Sequence, residues 1–388
     1  MLGLYYANGP LSSALYIMKS SPDLGEPPVY VVVARSNELA SRSGLYPLTE
    51  AIPAHACVYK KVWLPLSKRS WTLGHNLRRF GQWYYRSEWN SLVPLWHDLW
   101  MRRRIPRGQS IVHFLFPEFA APRDSGFLRR RGAQVIGTFH TSARRQERVH
   151  GEYPLENYDW ISVVSKTQIP WFLDRGYPKE RIRVTYHGVD TNYFRPAPRT
   201  ESDILRLLLV GSTERDHDFM SRLCRALNPK HYEVTVLTNA AHHALYRDIP
   251  CVRVPAFLPD KGLLAAYQQA DLMVMPLLDC TANNAVLEAM ACGTPVLTNR
   301  VGGIPEYVSD ACNDIMPNKK VDEWAACLEA RRSDRSELKR RRTDVRGWAE
   351  EFAWTKVADQ FRALYTDACA ASEGERRAIF ARSATRII

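Results

Sequence analysis

The sequence predicts an α/β protein built from two doubly wound domains, and three observations carry that expectation. In the second half, fully apolar runs of strand length alternate with helical stretches, as a parallel sheet covered on both faces requires. The first half repeats the alternation less regularly, and a Pro-rich segment, Arg195-Pro196-Ala197-Pro198, separates the two. At 388 residues the chain is long enough for two cores.

Taken in order, the first-half strand candidates are Val29–Val33, Ser110–Leu115, Gln134–Phe139, Trp160–Val164 and Arg183–Tyr186. A Trp-rich, Arg-flanked stretch over 71–107 reads as helical, broken near Pro94. After the linker come a strand over Ile204–Val210, a helix over Asp218–Leu227, and strands over Glu233–Leu237 and Cys251–Val254. A helix over Lys261–Ala270 shows the spacing of Leu263, Leu264 and Tyr267. Leu272–Pro276 is a buried strand, Asn284–Cys292 a helix ended by Gly293, and Thr294–Thr298 a further strand.

Composition narrows the functional classes. No run of about 18 apolar residues is present, and the N-terminus lacks the basic region of a signal peptide, so a cytoplasmic protein is expected. The eight cysteines form no C-x-x-C pair and no zinc spacing, which suits a reducing compartment and no metal. Residues 1–198 hold 27 Lys and Arg against 15 Asp and Glu, whereas residues 199–388 hold 26 against 26. The whole excess of +12 therefore sits in the first half and points to an anionic partner: a phosphorylated acceptor or an acidic membrane surface. Trp89, Leu92, Val93, Trp96 and Trp100 follow helical spacing beside Arg102-Arg103-Arg104, an arrangement suited to peripheral contact with anionic lipid. None of the usual nucleic-acid-binding modules is visible, so no nucleic acid is expected as a partner.

The residues that carry chemistry concentrate in Asp279–Glu306. Thr281, Asn283 and Asn284, with Ala282 between them, offer capping side chains and backbone N–H groups where a helix begins. Such a terminus is an anion site, favoured by the helix dipole and by donors that lack helical partners. Glu288 follows about one turn later, where a carboxylate can accept from vicinal hydroxyls. In the first half, His140 ends a strand, and ligands of α/β sheets bind at strand carboxyl ends. His113, inside an apolar run, reads as a hydrogen-bonded core histidine.

Together these segments resemble the family 4, group 1 glycosyltransferases. The resemblance rests on Ala282-Asn283-Asn284-Ala285-x-Leu287-Glu288-Ala289-Met290-Ala291-Cys292-Gly293-x-Pro295-Val296 followed by Gly302-Gly303-x-Pro305-Glu306. In the same order stand His187-Gly188-Val189-Asp190, Leu209-Val210-Gly211 and Ala270-Asp271, and Trp348–Tyr365 resembles the family's closing helix pair. The resemblance is strong from about 180 to 365 and fainter before.

It implies the GT-B fold, two Rossmann-like domains with an interdomain cleft: an acceptor domain over 1–195, a nucleotide-sugar domain over 199–355, and a closing helix over 356–388 packing back toward the first. It also implies a retaining enzyme that moves sugar from a nucleoside-diphosphate donor to a glycan or lipid-linked acceptor in cell-surface polysaccharide or glycolipid synthesis, without a cofactor or metal. Glu288 falls on the second Glu of the family's Glu-x7-Glu motif and is expected on the ribose. The first Glu falls on Cys280 and is absent, leaving Thr281 or Asn283 to meet the donor sugar. The family's Gly-Arg…Lys diphosphate clamp is altered as well: after Gly211 come Ser212, Thr213, Glu214 and Arg215, with no Lys nearby. Arg215 is then the candidate for the diphosphate, an Arg fork being suited to phosphate oxygens. Val254, in Val252–Phe257, stands where relatives pack the nucleobase; His140 matches the strand-end His near the reacting sugar; Gly9 and Pro10 fall in the first strand-to-helix loop, on the acceptor side. A GT-B epimerase or hydrolase, or a catalytically impaired sugar-nucleotide-binding protein, is the alternative, because Cys280 breaks the motif.

Overall fold

The computed structural model describes residues 16–18, 28–35, 48, 51, 56–61, 105, 107–108, 110–119, 122–150, 154–255 and 258–371. Gly9, Pro10 and the Trp89–Trp100 stripe lie outside them, as do Arg102 to Arg104. The chain divides into two units, one holding the described residues up to Tyr186 together with those from Ala358 onward, the other His187–Val357.

The first unit is organised on a seven-stranded sheet of order β1-β3-β2-β4-β5-β6-β7. Its strands are β1 (Tyr16–Met18), β2 (Val29–Arg35), β3 (Ala56–Lys61), β4 (Ile111–Phe114), β5 (Gln134–Phe139), β6 (Trp160–Val163) and β7 (Ile182–Val184). Only β1 runs antiparallel, against β3; every other pair is parallel. β4, β5 and β6 are buried along their whole length, which suits their mostly apolar sequence, with His113, Gln134, Thr138 and Ser162 as buried polar members. The helices α1 (Pro122–Arg130), α2 (Ala143–His150) and α3 (Ile169–Leu173) connect them. The core gathers Val112, Phe114, Val135, Phe139, Tyr158, Ile161 and Phe172. His113 is a core histidine, as its strand suggested: it bonds Tyr365 Oη at 2.8 Å and Thr138 Oγ1 at 2.7 Å, and burial pushes it down to about 3.

The second unit has a six-stranded, all-parallel sheet of order β10-β9-β8-β11-β12-β13. Its strands are β8 (Leu205–Val210), β9 (Tyr232–Leu237), β10 (Val252–Arg253), β11 (Leu272–Met275), β12 (Val296–Asn299) and β13 (Asp314–Met316). Its helices are α4 (His217–Ala226), α5 (Asp260–Gln269), α6 (Asn284–Ala291), α7 (Ile304–Tyr307), α8 (Val321–Ser333) and α9 (Arg335–Glu350). A final helix, α10 (Trp354–Ala370), begins in this unit and ends in the first. Strand order runs outward in both directions from β8 and β11, so the switch point lies between their carboxyl ends, where doubly wound sheets bind ligands.

The units divide ahead of the Pro-rich segment that the sequence suggests as the boundary. His187–Pro198 packs on the second unit: Val189 N–H donates to Phe352 O at 2.9 Å, and Arg346 Nη1 donates to Phe194 O at 2.8 Å. A Cβ at Gly188 would overlap the Trp354 ring, so the His187-Gly188-Val189 motif acts here as a packing device. Three strands had no sequence expectation: β1, β3 and β13. Among the described residues no helix is long and apolar enough to cross a membrane.

Candidate functional site

Because the second sheet is all parallel, the loops after β8, β11, β12 and β13 emerge at one edge. The loop after β8 begins at Gly211, whose φ of +102° suits glycine. The same glycine permits a close approach, since a Cβ there would lie 2.8 Å from the Arg215 guanidinium. Ser212 Oγ bonds Thr238 Oγ1 at 2.9 Å and accepts from Asn239 N–H, tying this loop to the one after β9.

Arg215 folds back beneath the loop. It donates through Nε to Val210 O at 3.2 Å, through Nη1 to Thr213 O at 2.7 Å, and through Nη2 to Asn283 Oδ1 at 3.1 Å. Asn283 Oδ1 also accepts from Val286 N–H at 3.3 Å, as the N-cap of α6. Gly211, Arg215, Asn283 and Asn284 are thus brought together across the switch point, and an antiparallel bridge between Arg215 and Leu277 fixes the two loops. Arg215 makes no ion pair among the described residues, and burial pulls its guanidinium below the usual value, with neighbouring acidic groups opposing. A desolvated cation at a capped helix start, carrying N–H groups still to be filled, is prepared for an anion.

Below it, Glu288 is 3% exposed and accepts a hydrogen bond from Tyr267 Oη at 2.8 Å. The spacing of Tyr267 marks it as the apolar face of α5; its hydroxyl is what the sequence does not announce. Thr281 is buried, whereas Ala282 and Asn284 are half-buried at the same helix start. Cys280, in place of the family's Glu, is a buried thiol pushed up to about 12 by burial, with Arg215 pulling the other way. It therefore supplies no anion to a sugar at neutral pH. Its carbonyl accepts from Gly303 N–H at 2.9 Å, and a Cβ at Gly302 would overlap it, so the Gly302-Gly303 loop packs on the Asp279-Cys280 backbone. Helix α6 ends as expected at Gly293: Gly293 N–H bonds Met290 O and Thr294 N–H bonds Ala289 O, each at 2.9 Å, a Schellman pair.

The sequence reading finds no Lys near Arg215, but the chain returns one from the loop after β13. Lys319 pairs with Asp216, the N-cap of α4, and donates to Leu277 O at 3.3 Å. It braces the loop with its charge already matched. Val254 is half-buried in the loop after β10, the far strand of the sheet.

In the first unit His140 follows β5, and its ring stacks on Phe116 at 4.0 Å between centroids. Sequence reasoning missed the group that holds it. Glu118 Oε1 accepts from both His140 N–H at 2.6 Å and Thr141 N–H at 2.8 Å, reaching from the turn after β4. Glu118 is 2% exposed, and burial pushes its carboxyl up to about 7 against the pull of those N–H groups. In the unfolded chain the same carboxyl titrates near 4.5, so over the interval between the folded state binds the extra proton and stability falls as pH rises. The penalty is roughly 3 kcal/mol once pH exceeds both values. Glu118→Gln, which keeps an acceptor oxygen but no charge, is expected to flatten the fall in melting temperature between about pH 5 and 8. An unchanged slope would sink this reading.

Two family models match consecutive parts of the chain: Glycosyltransferase Family 4 over residues 56–193 and Glycosyl transferases group 1 over residues 194–334. A D-inositol 3-phosphate glycosyltransferase of Saccharomonospora viridis is 35% identical over 126 residues, 31% of this chain and 29% of that protein. An MMP alpha-(1->4)-mannosyltransferase of Mycolicibacterium hassiacum is 27% identical over 250 residues, 61% of this chain and 59% of that protein. The matched stretches thus span less than two thirds of these curated relatives. Among solved structures, sucrose-phosphate synthase of Thermosynechococcus elongatus superposes with a TM-score of 0.66 at 15% identity, covering 89% of this chain and all of that one. The Anabaena protein HepE, in complex with UDP and glucose, gives a TM-score of 0.63 at 11% identity, covering 87% and 99%. At such identities these two likenesses bear on the fold, which is GT-B.

Proposed function

The chain belongs to the family 4, group 1 glycosyltransferases, and from that premise we propose that it is a retaining transferase moving a sugar from a nucleoside-diphosphate donor to an anionic, phosphorylated or lipid-linked acceptor. The observation that carries the donor half is the junction of Arg215 with the Asn283 cap of α6, above the buried Glu288. In this reading the diphosphate lies on the α6 N-terminus and Arg215, and Glu288 accepts from ribose hydroxyls, exchanging its bond to Tyr267. Val254 lies toward the nucleobase, and Thr281 with Asn283 meets the sugar in place of the missing Glu. As the glycosidic bond to the diphosphate breaks, the charge on the leaving oxygen is met by the guanidinium and the helix dipole. The acceptor hydroxyl attacks the anomeric carbon from the same face, and its proton passes to the departing phosphate. His140, held through its backbone by Glu118, is the acceptor-side residue in this reading.

The acceptor half rests on charge. The first half holds the whole excess of +12, and several relatives are named D-inositol 3-phosphate glycosyltransferases. A phosphorylated glycan or lipid acceptor in cell-surface polysaccharide or glycolipid synthesis, met at the cytoplasmic membrane surface, fits that charge.

Incubating the protein with a panel of nucleotide sugars and phosphorylated or lipid-linked acceptors tests this reading. The expected product keeps the donor's anomeric configuration, as read by proton NMR, and forms equally in EDTA because Arg215 and the helix terminus supply the positive charge. Inverted product, strict dependence on a divalent ion, or hydrolysis without transfer would each contradict it.

A further inference from the structure

At the opposite end of the second sheet, away from the strand carboxyl ends, three arginines converge on one aspartate, with a fourth within electrostatic reach. Asp271, just before β11, lies 3.2 Å from Arg206 Nη2, 3.4 Å from Arg335 Nη2 and 3.9 Å from Arg199 Nη1. Arg206 adds its backbone N–H and its Nε to the same carboxylate, at 2.9 and 3.3 Å. The fourth, Arg342 on α9, makes no ion pair among the described residues, and its charge is the largest electrostatic influence on Arg199. The side chains of Arg199 and Asp271 are 8% and 12% exposed, so solvent screens this cluster weakly.

The hydrogen bonds are unfilled as well as the charge. Arg199 Nη2 donates to Thr294 Oγ1 at 2.6 Å and Arg335 Nη2 to Ser202 O at 2.8 Å, but Arg199 Nε and Arg335 Nη1 are buried with no partner. Burial, then repulsion from Arg342, pulls Arg199 down to about 9. Arg335 also opens α9, where the helix dipole opposes a cation. Buried guanidinium donors are normally satisfied, and four cations around one carboxylate repel unless a second anion joins them. Lys339, on the same helix α9, and Glu201, in the same post-linker segment, form an exposed pair matched within itself.

We propose that Arg199, Arg206, Arg335 and Arg342 form a second anion site, distinct from the donor site, that takes a phosphate group, either free or on a small phosphorylated metabolite. A tetrahedral oxyanion offers pairs of oxygens that match guanidinium forks bidentately, a geometry that a spherical halide lacks. The site joins the segment after the Pro-rich stretch to β8, β11 and α9, so filling it would tighten the second unit from the edge facing away from the donor loops. The inference is independent of the donor assignment and does not fail with it.

Calorimetric titration of the full chain with inorganic phosphate, at fixed ionic strength set by chloride, tests it. Saturable binding is expected in the wild type, with a rise of about 3 °C or more in the melting temperature of the second unit at saturation. Arg342→Gln and Arg335→Gln, on partly exposed side chains, are expected to fold and to weaken phosphate at least about tenfold. Arg215→Ala, at the donor loop, is expected to leave this binding in place. A hexose phosphate in a second arm separates the sources: tighter binding than phosphate points to a metabolite, equal binding to the free ion, and both support the site. Absence of phosphate binding, binding unchanged in both Gln variants, or binding lost only in Arg215→Ala would overturn the proposal.

Discussion

Glu288→Gln is expected to cost nucleoside-diphosphate affinity about 10- to 150-fold, roughly 1.5–3 kcal/mol, while leaving the protein folded. The size follows from losing hydrogen bonds to an ionised acceptor. The choice of Gln matters because Glu288 also accepts from the fully buried Tyr267 hydroxyl. Glutamine retains an oxygen for that hydroxyl, whereas Glu288→Ala strands it and opens a void, adding a stability loss of roughly 1–3 kcal/mol. Comparing the two by calorimetry and thermal melting separates ligand binding from packing. Affinity unchanged in Glu288→Gln would remove the residue from the donor site.

Arg215→Ala is expected to weaken a nucleoside diphosphate far more than the nucleoside, by about tenfold or more in the ratio of the two. The guanidinium holds the loop at Val210 and Thr213 and also touches the Asn283 cap, so its loss disturbs both walls of the proposed phosphate position. Arg215→Lys retains a charge without the fork and is expected to recover only part of the loss. Equal weakening of nucleoside and diphosphate would show that Arg215 acts on loop shape alone.

The parts of this fold legible in the sequence are those whose signals are local. Helix α6 reads off its Asn283 cap and Gly293 end, and strands β5, β8 and β11 off mostly apolar runs of strand length. The three-residue β13 is half-buried at the sheet edge, too short to show a period. Neither the Arg215–Asn283 contact nor the Glu118 clamp on His140 leaves a spacing to find, because each joins loops brought together only by strand order. Tyr267 illustrates the same limit: helical spacing shows its face, while its bond to Glu288 depends on how α5 lies against α6. Asp271 stands in the sequence only as part of the Ala270-Asp271 likeness to the family, and the fold brings arginines from other segments around it.

Titrating the purified chain with UDP, GDP and ADP in EDTA decides whether the β8 and β11 loops with α6 hold a nucleoside diphosphate. At least one is expected to bind with a dissociation constant between about 1 µM and 1 mM, the range of working donor concentrations, and more weakly in Glu288→Gln and Arg215→Ala. If none of the three binds up to millimolar concentration, or if binding survives both substitutions, the donor site has been assigned to the wrong residues.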